Sequence, residues 1–222
     1  MAKKRKLIGK WFKIIVAIYF LLVLGNVFSE MFSHLGSTHK ISVSDEWNLI
    51  VVNRWNEIPE NYNVTLTELS NGQKVDSRIY PHLQNMFNAA RAEGIYPIVR
   101  EGYRTAAEQQ ELLDDKIQTY IKKGYSKSRA EKSALEWVAP SGTSEHQLGI
   151  AVDINADKTK SSNDEVYMWL AENAHHYGFI LRYPQGKQEI TGTNYEPWHY
   201  RYVGVEVAEK IYNQKICLEE YF

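Results

Sequence analysis

Apolar residues recur at intervals of three and four along much of this 222-residue chain, interrupted by short runs rich in β-branched and aromatic residues. Ile79, Leu83, Met86, Phe87 and Ala90 form one such stripe, and Gly94 follows it. That spacing predicts a helix over 79–93, with Pro81 tolerated because it falls in the first turn. Thr105, followed three residues later by Glu108, has the pattern of a capping box, so a helix is expected from 105 to 123, closed by Gly124. Further helices are expected over 126–138, ended by Pro140, over 164–177, closed by Gly178, and over 205–214. The segments 48–52, 95–99, 150–154, 179–183 and 198–202 read as short strands. Short strands interleaved with helices, without a regular βαβ rhythm, predict an α+β fold: a small, largely antiparallel sheet with helices packed on it.

The first thirty residues break this pattern. Lys3, Lys4, Arg5 and Lys6 precede an apolar stretch from Trp11 to Phe28 that is free of charge after Lys13. At about 1.5 Å per residue those eighteen residues reach roughly 27 Å, close to the thickness of a bilayer core. The basic flank keeps the N-terminus cytoplasmic and sends the remainder outside. An uncleaved anchor is the preferred reading. A cleaved signal peptide with its core at Ile14–Gly25 is the rival, weakened because no Ala-x-Ala site follows. The expected organisation is therefore a basic tip and single-pass anchor over 1–28, a polar stalk over 29–45, and one extracytoplasmic domain over 46–222.

Charge sharpens the contrast. Residues 1–30 hold six basic side chains against Glu30 alone, whereas the rest carries 20 basic and 26 acidic residues. A mildly acidic globular part argues against nucleic acid as a partner. Hydrophobic residues at 44% permit a sizeable core. The single cysteine, Cys217, excludes an intramolecular disulfide, so an exported domain must stand on its core alone. Cys217 itself reads as a small buried hydrophobe.

Candidate chemistry lies in two segments about fifty residues apart: Ser144-Glu-His-Gln-Leu-Gly-Ile-Ala-Val-Asp153 and Glu196-Pro-Trp-His199. Imidazole nitrogens and a carboxylate oxygen are a ligand set that zinc accepts, and three protein ligands leave a fourth position for water or substrate. A nearby glutamate that is not a ligand can take a proton from that water. His146 and Asp153 are seven apart, which suits one face of a helix but opposite faces of a strand. Gly149 and the β-branched run after it argue against a helix. The remaining geometry puts His146 in a turn, a bend at Gly149, and Asp153 on a strand. An aspartate between Val152 and Ile154 needs a partner if buried, and a metal is one. Pro197 and Trp198 stiffen the second segment and hold Glu196 and His199 in fixed relation.

The joint pattern Ser144-x-His146-x-x-Gly149-x-Ala151-x-Asp153 with Glu196-x-Trp198-His199 resembles the VanY-type zinc D-alanyl-D-alanine carboxypeptidases. Gly102-Tyr-Arg-Thr-Ala-Ala-Glu-Gln109, Tyr177-Gly-Phe-Ile-Leu-Arg-Tyr-Pro184, Asn53 and the closing Leu218-Glu-Glu-Tyr221 are similar as well, so the likeness runs from about residue 46 to the end. The resemblance implies the zinc D-Ala-D-Ala peptidase, or hedgehog-like, fold. It implies zinc as cofactor on His146, Asp153 and His199, with Glu196 as general base and then acid. It further implies that Arg104 binds the substrate's carbonyl or carboxylate, and that Ser144 and Gln109 hydrogen-bond the peptide. The implied partner is a peptidoglycan stem peptide or its precursor; the expected state is a monomer, tethered to the membrane by the N-terminal segment. Thr105 in place of the more usual serine, and Pro140-Ser-Gly-Thr before Ser144, depart from the pattern without touching the zinc chemistry.

Three rival functions share part of this pattern. An L,D-carboxypeptidase acting on tetrapeptide stems uses the same motifs. A non-catalytic wall-binding module could lose Glu196 or Arg104 without penalty, yet both are present. A lysostaphin-like endopeptidase should carry a His-x-His pair, which is absent around His199. His175-His176 falls late in an expected helix, where charged imidazoles would suit the helix dipole rather than a metal.

Overall fold

The computed structural model of the protein describes residues 46–222; the expected anchor and stalk lie outside them. Strands β1 (Leu66–Glu68) and β2 (Lys74–Asp76) form a separate hairpin that turns through Asn71 and Gly72. Strands β3 (Pro97–Glu101), β4 (Ala151–Ala156), β5 (Phe179–Leu181) and β6 (His199–Tyr202) make a four-stranded antiparallel sheet in the order β3-β4-β6-β5. The helices are α1 (Tyr80–Ala92), α2 (Ala106–Lys122), α3 (Lys127–Leu135), α4 (Asn163–Asn173), the single turn α5 (Gln188–Thr191) and α6 (Val205–Gln214). The expected α+β class and antiparallel sheet are observed.

Alternation along the central strands sorts the side chains. Val152, Ile154 and Ala156 of β4, with Tyr200 and Tyr202 of β6, face the main core, where α1 supplies Leu83, Met86, Phe87 and Ala90 and α4 supplies Val166, Trp169 and Leu170. Fully burying a side chain such as Ile154 or Leu170 stabilises by about 1.5–3 kcal/mol. Asp153, His199 and Arg201 fall on the opposite parity and so leave the core face. A second cluster joins α6 to Leu49, Val51, Ile180, Val203 and Leu218. A third, smaller one lies between α2 and α3 around Leu113, Ala134 and Val138.

The local signals mostly translate. Thr105 and Ser162 each close a capping box, at the starts of α2 and α4. The expected helix over 164–177 is α4 followed by a 3-10 turn over Ala174–Tyr177. The helix over 126–138 stops earlier, at Leu135.

Residues 48–52 do not form the expected ladder strand. Leu49 and Val51 point into one cluster and Ile50 and Val52 into the other, so the segment is buried on both sides. Its carbonyls are satisfied by a guanidinium instead of a neighbouring strand: Arg201 Nη2 donates to Asn48 O at 3.1 Å and to Ile50 O at 2.9 Å. Asn48 Nδ2 donates to Val203 O at 2.7 Å.

The β1–β2 hairpin packs its backbone against Gly102, just after β3. Gln73 Oε1 accepts from Gly102 N at 2.9 Å, and Tyr103 N donates to Lys74 O at 2.6 Å. A Cβ on residue 102 would lie 2.2 Å from Lys74 O, a backbone atom that cannot swing away. Gly102→Ala is therefore expected to lose on the order of 2–3 kcal/mol, as forced overpacking does. Urea unfolding of the two proteins checks this.

Candidate metal centre and cleft

The turn before β4 is a 3-10 helix, Glu145–Leu148, closed by Gly149 at φ 73°, a conformation glycine adopts without strain. It buries His146 and aims its Nδ1 at Gly102 O, 2.7 Å away. A carbonyl only accepts, so Nδ1 carries the proton and Nε2 keeps the lone pair. That lone pair faces Asp153 Oδ1 at 3.4 Å. Across the β4–β6 pair, Asp153 stands opposite His199, whose Nδ1 lies 2.9 Å from the same carboxylate oxygen. The expected turn, bend and strand are all present. One ligand atom from each of His146, Asp153 and His199 lies within 4.8 Å of the others, so the three could hold a metal ion. The donor chemistry fits a catalytic metal with an open position, and the Gly102 carbonyl behind His146 is the outer partner such ligands use to fix their tautomer.

Glu196, in the loop before β6, is buried, with Oε2 3.9 Å from His199 Nδ1. Backbone bonds hold it: Glu196 N donates to Tyr183 O and His199 N to Glu196 O, both at 3.2 Å. Arg104 follows β3 and reaches the centre, with Nη2 3.5 Å from Asp153 Oδ2 and Nε 3.7 Å from Glu101 Oε2. Arg104 thus pairs with Glu101 at the rim and reaches the metal centre at the same time. Gln109 is buried and already occupied at both ends of its carboxamide. Its Oε1 accepts from Arg104 Nη1 at 2.8 Å, and its Nε2 donates to Ala139 O at 2.7 Å. It therefore aims Arg104. Ser144 is buried beside His146. His146, Asp153, His199, Arg104, Ser144 and Gln109 all line one cleft of about 710 Å³.

The electrostatics follow from this crowding. Burial disfavours a charged Asp153, but the imidazoles of His146 and His199 outweigh it and hold the carboxyl well below its usual range. Burial lowers His146, reinforced by Arg104. His199 is also opposed by burial, yet its contacts with Asp153 and Glu145 prevail and raise it to about 9. Burial drives Glu196 the other way, up to about 7, with Asp153 adding and His199 opposing. A metal dication would take over the charge that a proton on His199 balances in the metal-free protein.

Two residues next to the centre were not singled out from sequence. Glu145 is wholly buried between Arg182 and Arg201, which both donate to its Oε1 at 2.7 Å. Tyr183 packs its ring 4.8 Å from that of His199. Glu145 sat in plain view between Ser144 and His146, but nothing in the motif marks a glutamate there as buried. His175 and His176 stay away from the centre, as expected. His175 departs from the expected charged imidazole at a helix end: it is buried, stacks on Tyr212 at 3.6 Å, and has its pKa lowered by burial. Cys217 is buried, and burial pushes its thiol up to about 12.

The sequence model of the VanY family, described as D-alanyl-D-alanine carboxypeptidase, matches residues 72–205. The chain belongs to the VanY family. It is 60% identical over 176 residues to a D-alanyl-D-alanine carboxypeptidase of Enterococcus faecalis, a match covering 79% of this chain and 66% of that relative, just under two thirds of its length. Among solved structures it is similar to a zinc-bound glutamate-to-alanine variant of the vancomycin-resistance D,D-pentapeptidase VanY, at 60% identity and a TM-score of 0.78 over 79% of this chain and 99% of that one. VanYB in complex with D-alanine-D-alanine matches with the same identity and TM-score, covering 79% of this chain and 97% of that one.

The raised pKa of Glu196 makes a stability prediction. A carboxyl near 7 in the folded chain and near 4.5 in the unfolded one is a group whose ionised form folding disfavours. Its cost is absent below about pH 4.5 and complete above about pH 7. Glu196→Gln is therefore expected to stabilise the metal-free protein at pH 8, by about 3 kcal/mol, and to leave it unchanged at pH 4. Thermal melts at the two pH values in chelator read this directly.

Proposed function

We propose that this chain is a zinc-dependent D-alanyl-D-alanine carboxypeptidase that removes the terminal D-alanine from peptidoglycan stem peptides. The observation that carries the reading is the meeting of His146, Asp153 and His199 around one point, with Glu196 and Arg104 beside them. The zinc bound in VanY and the D-alanine-D-alanine bound in VanYB, both 60% identical to this chain, support the cofactor and the substrate class.

His146 and His199, with Asp153 between them, would be the ligands. Zinc supplies there a Lewis acid that acidifies water and polarises a carbonyl. The remaining work belongs to the protein. Glu196 Oε2 takes a proton from the attacking water, a role its buried carboxylate beside His199 suits. It then returns the proton to the departing D-alanine nitrogen. Arg104, aimed by Gln109, offers its guanidinium to the substrate carboxylate or to the oxyanion developing at the scissile carbonyl. Ser144, which lines the cleft, would hydrogen-bond the peptide.

The acidic domain over 46–222 would work outside the cytoplasm as a monomer, tethered by an anchor over 1–28 and a stalk over 29–45. The length and flanking charge of the Trp11–Phe28 stretch support this. Among the described residues no helix is long and apolar enough to cross a membrane.

Mass spectrometry of purified muropeptides tests the activity. Pentapeptide stems are expected to lose one alanine, tetrapeptide stems to stay intact, and a chelator to stop the reaction. Loss of alanine from tetrapeptide alone would reassign the enzyme to L,D-cleavage. Glu196→Ala is expected to keep its zinc and lose turnover by about 10²–10⁴-fold or more. A zinc-loaded Glu196→Ala protein with full activity would remove Glu196 from the base role.

A further inference from the structure

Two motifs shared with the family, Phe179-Ile-Leu-Arg182 and Leu218-Glu219, have no part in the chemistry above. They meet behind His199. Arg182 Nη1 and Nη2 donate to the two carboxylate oxygens of Glu219 at 2.8 and 2.6 Å, and Asn53 Nδ2 donates to Glu219 Oε1 at 3.0 Å. Arg182 Nε and Arg201 Nη1 both donate to Oε1 of Glu145. Neither arginine has any exposed surface, and Glu145 is 1% exposed.

This arrangement uses up one oxygen of Glu145 and leaves the other. Among the described residues, Glu145 Oε2 and His199 Nε2 are both buried and both lack a hydrogen-bond partner. They face each other at 3.6 Å, a few tenths of an ångström beyond a hydrogen bond. A buried imidazole N–H must donate to something, and this carboxylate oxygen is the acceptor in front of it.

We propose that Glu145 is the positioning residue that fixes His199 as a ligand through Nδ1: its Oε2 accepts a hydrogen bond from Nε2–H, which keeps the proton there and leaves the Nδ1 lone pair for the metal. The proposal rests on the zinc-peptidase reading. It makes the two histidines opposite tautomers. His146 carries its proton on Nδ1, against Gly102 O, and His199 carries its proton on Nε2, against Glu145.

The consequence for a Glu145→Gln variant follows from donor and acceptor counting. Arg182 and Arg201 present only donors, so they hold the amide oxygen. The amide NH₂ then faces His199 Nε2, donor against donor. His199 relieves this by moving its proton to Nδ1, where it blocks the ligand lone pair. Zinc affinity is expected to fall by about 10–100-fold, the usual effect of losing an outer partner of a ligand. Glu219→Gln weakens the same arginine network without touching His199, and is expected to change zinc affinity by less than about threefold.

The experiment uses the full chain in detergent. Zinc affinity is measured by chelator competition for the wild type and both variants, and the ring protonation of ¹⁵N-labelled histidines in the zinc-loaded proteins is read by long-range ¹⁵N–¹H correlation. Support is a wild-type His199 protonated on Nε2, with an affinity loss confined to Glu145→Gln. A wild-type His199 protonated on Nδ1 overturns the proposal, and that measurement holds even if the Glu145 variant fails to fold. Equal losses in both variants also overturn it, because they mark the network as structural only. A wild type that binds zinc with these tautomers but leaves muropeptides intact sinks the peptidase reading and spares Glu145. Full turnover with undiminished zinc affinity in Glu145→Gln does the reverse.

Discussion

Asp153 and His199 stand opposite one another because β4 pairs with β6 in one register, and that register is held by what lies on the other face of the same strands. Val152, Ile154, Tyr200 and Tyr202 are all locked in the main core. A slip of one residue would turn Asp153 into that core and Val152 towards the cleft. Burying an unpaired carboxylate costs several kcal/mol, so the apolar packing and the polar site exclude the same error. The neighbouring strand extends the effect: Glu101 pairs with Asp153 across β3–β4, and the chain leaving β3 delivers Gly102 and Arg104 to the centre.

Behind the metal centre the fold carries charges that most interiors avoid. Glu145, Arg182 and Arg201 are buried together, and the half-buried Glu219 joins them with a side chain only 5% exposed. Each would be expensive alone. Together they close on one another, with Arg201 also occupying the carbonyls of Asn48 and Ile50. Arg201 thus serves the scaffold and the site at once. It replaces the missing strand beside residues 48–52, and it clamps the carboxylate that faces His199.

The sequence revealed the fold class, most elements and the metal residues, for identifiable reasons. Capping boxes and terminal glycines are local chemistry, so the starts of α2 and α4 were readable from a few side chains. The turn at His146 and the strand at Asp153 followed from Gly149 and the β-branched run after it. The β1–β2 hairpin escaped because strands of three residues are too short for a period to show, although Asn71-Gly72 is a turn signal. Residues 48–52 misled for the opposite reason. Their composition is that of a strand, but the partner that satisfies them is a side chain about 150 residues away. Gln109 could be placed near the substrate by its motif, yet only the structure shows both ends of its amide engaged. Glu145 was invisible for the same reason: its role depends on two arginines and a histidine that no local pattern connects to it.

The wall of the cleft built by α2 and by residues 137–139 after α3 is backed by its own small cluster at Leu113, Ala134 and Val138, apart from the core that sets the sheet. A change of volume in that cluster moves the wall while leaving the strand pairing undisturbed. The shape of that wall and the register of the metal ligands thus rest on separate packing, and Gln109, which bonds both Arg104 and Ala139 O, is the link between them. A few small hydrophobic substitutions there can reshape the cleft while Asp153 and His199 stay opposite one another.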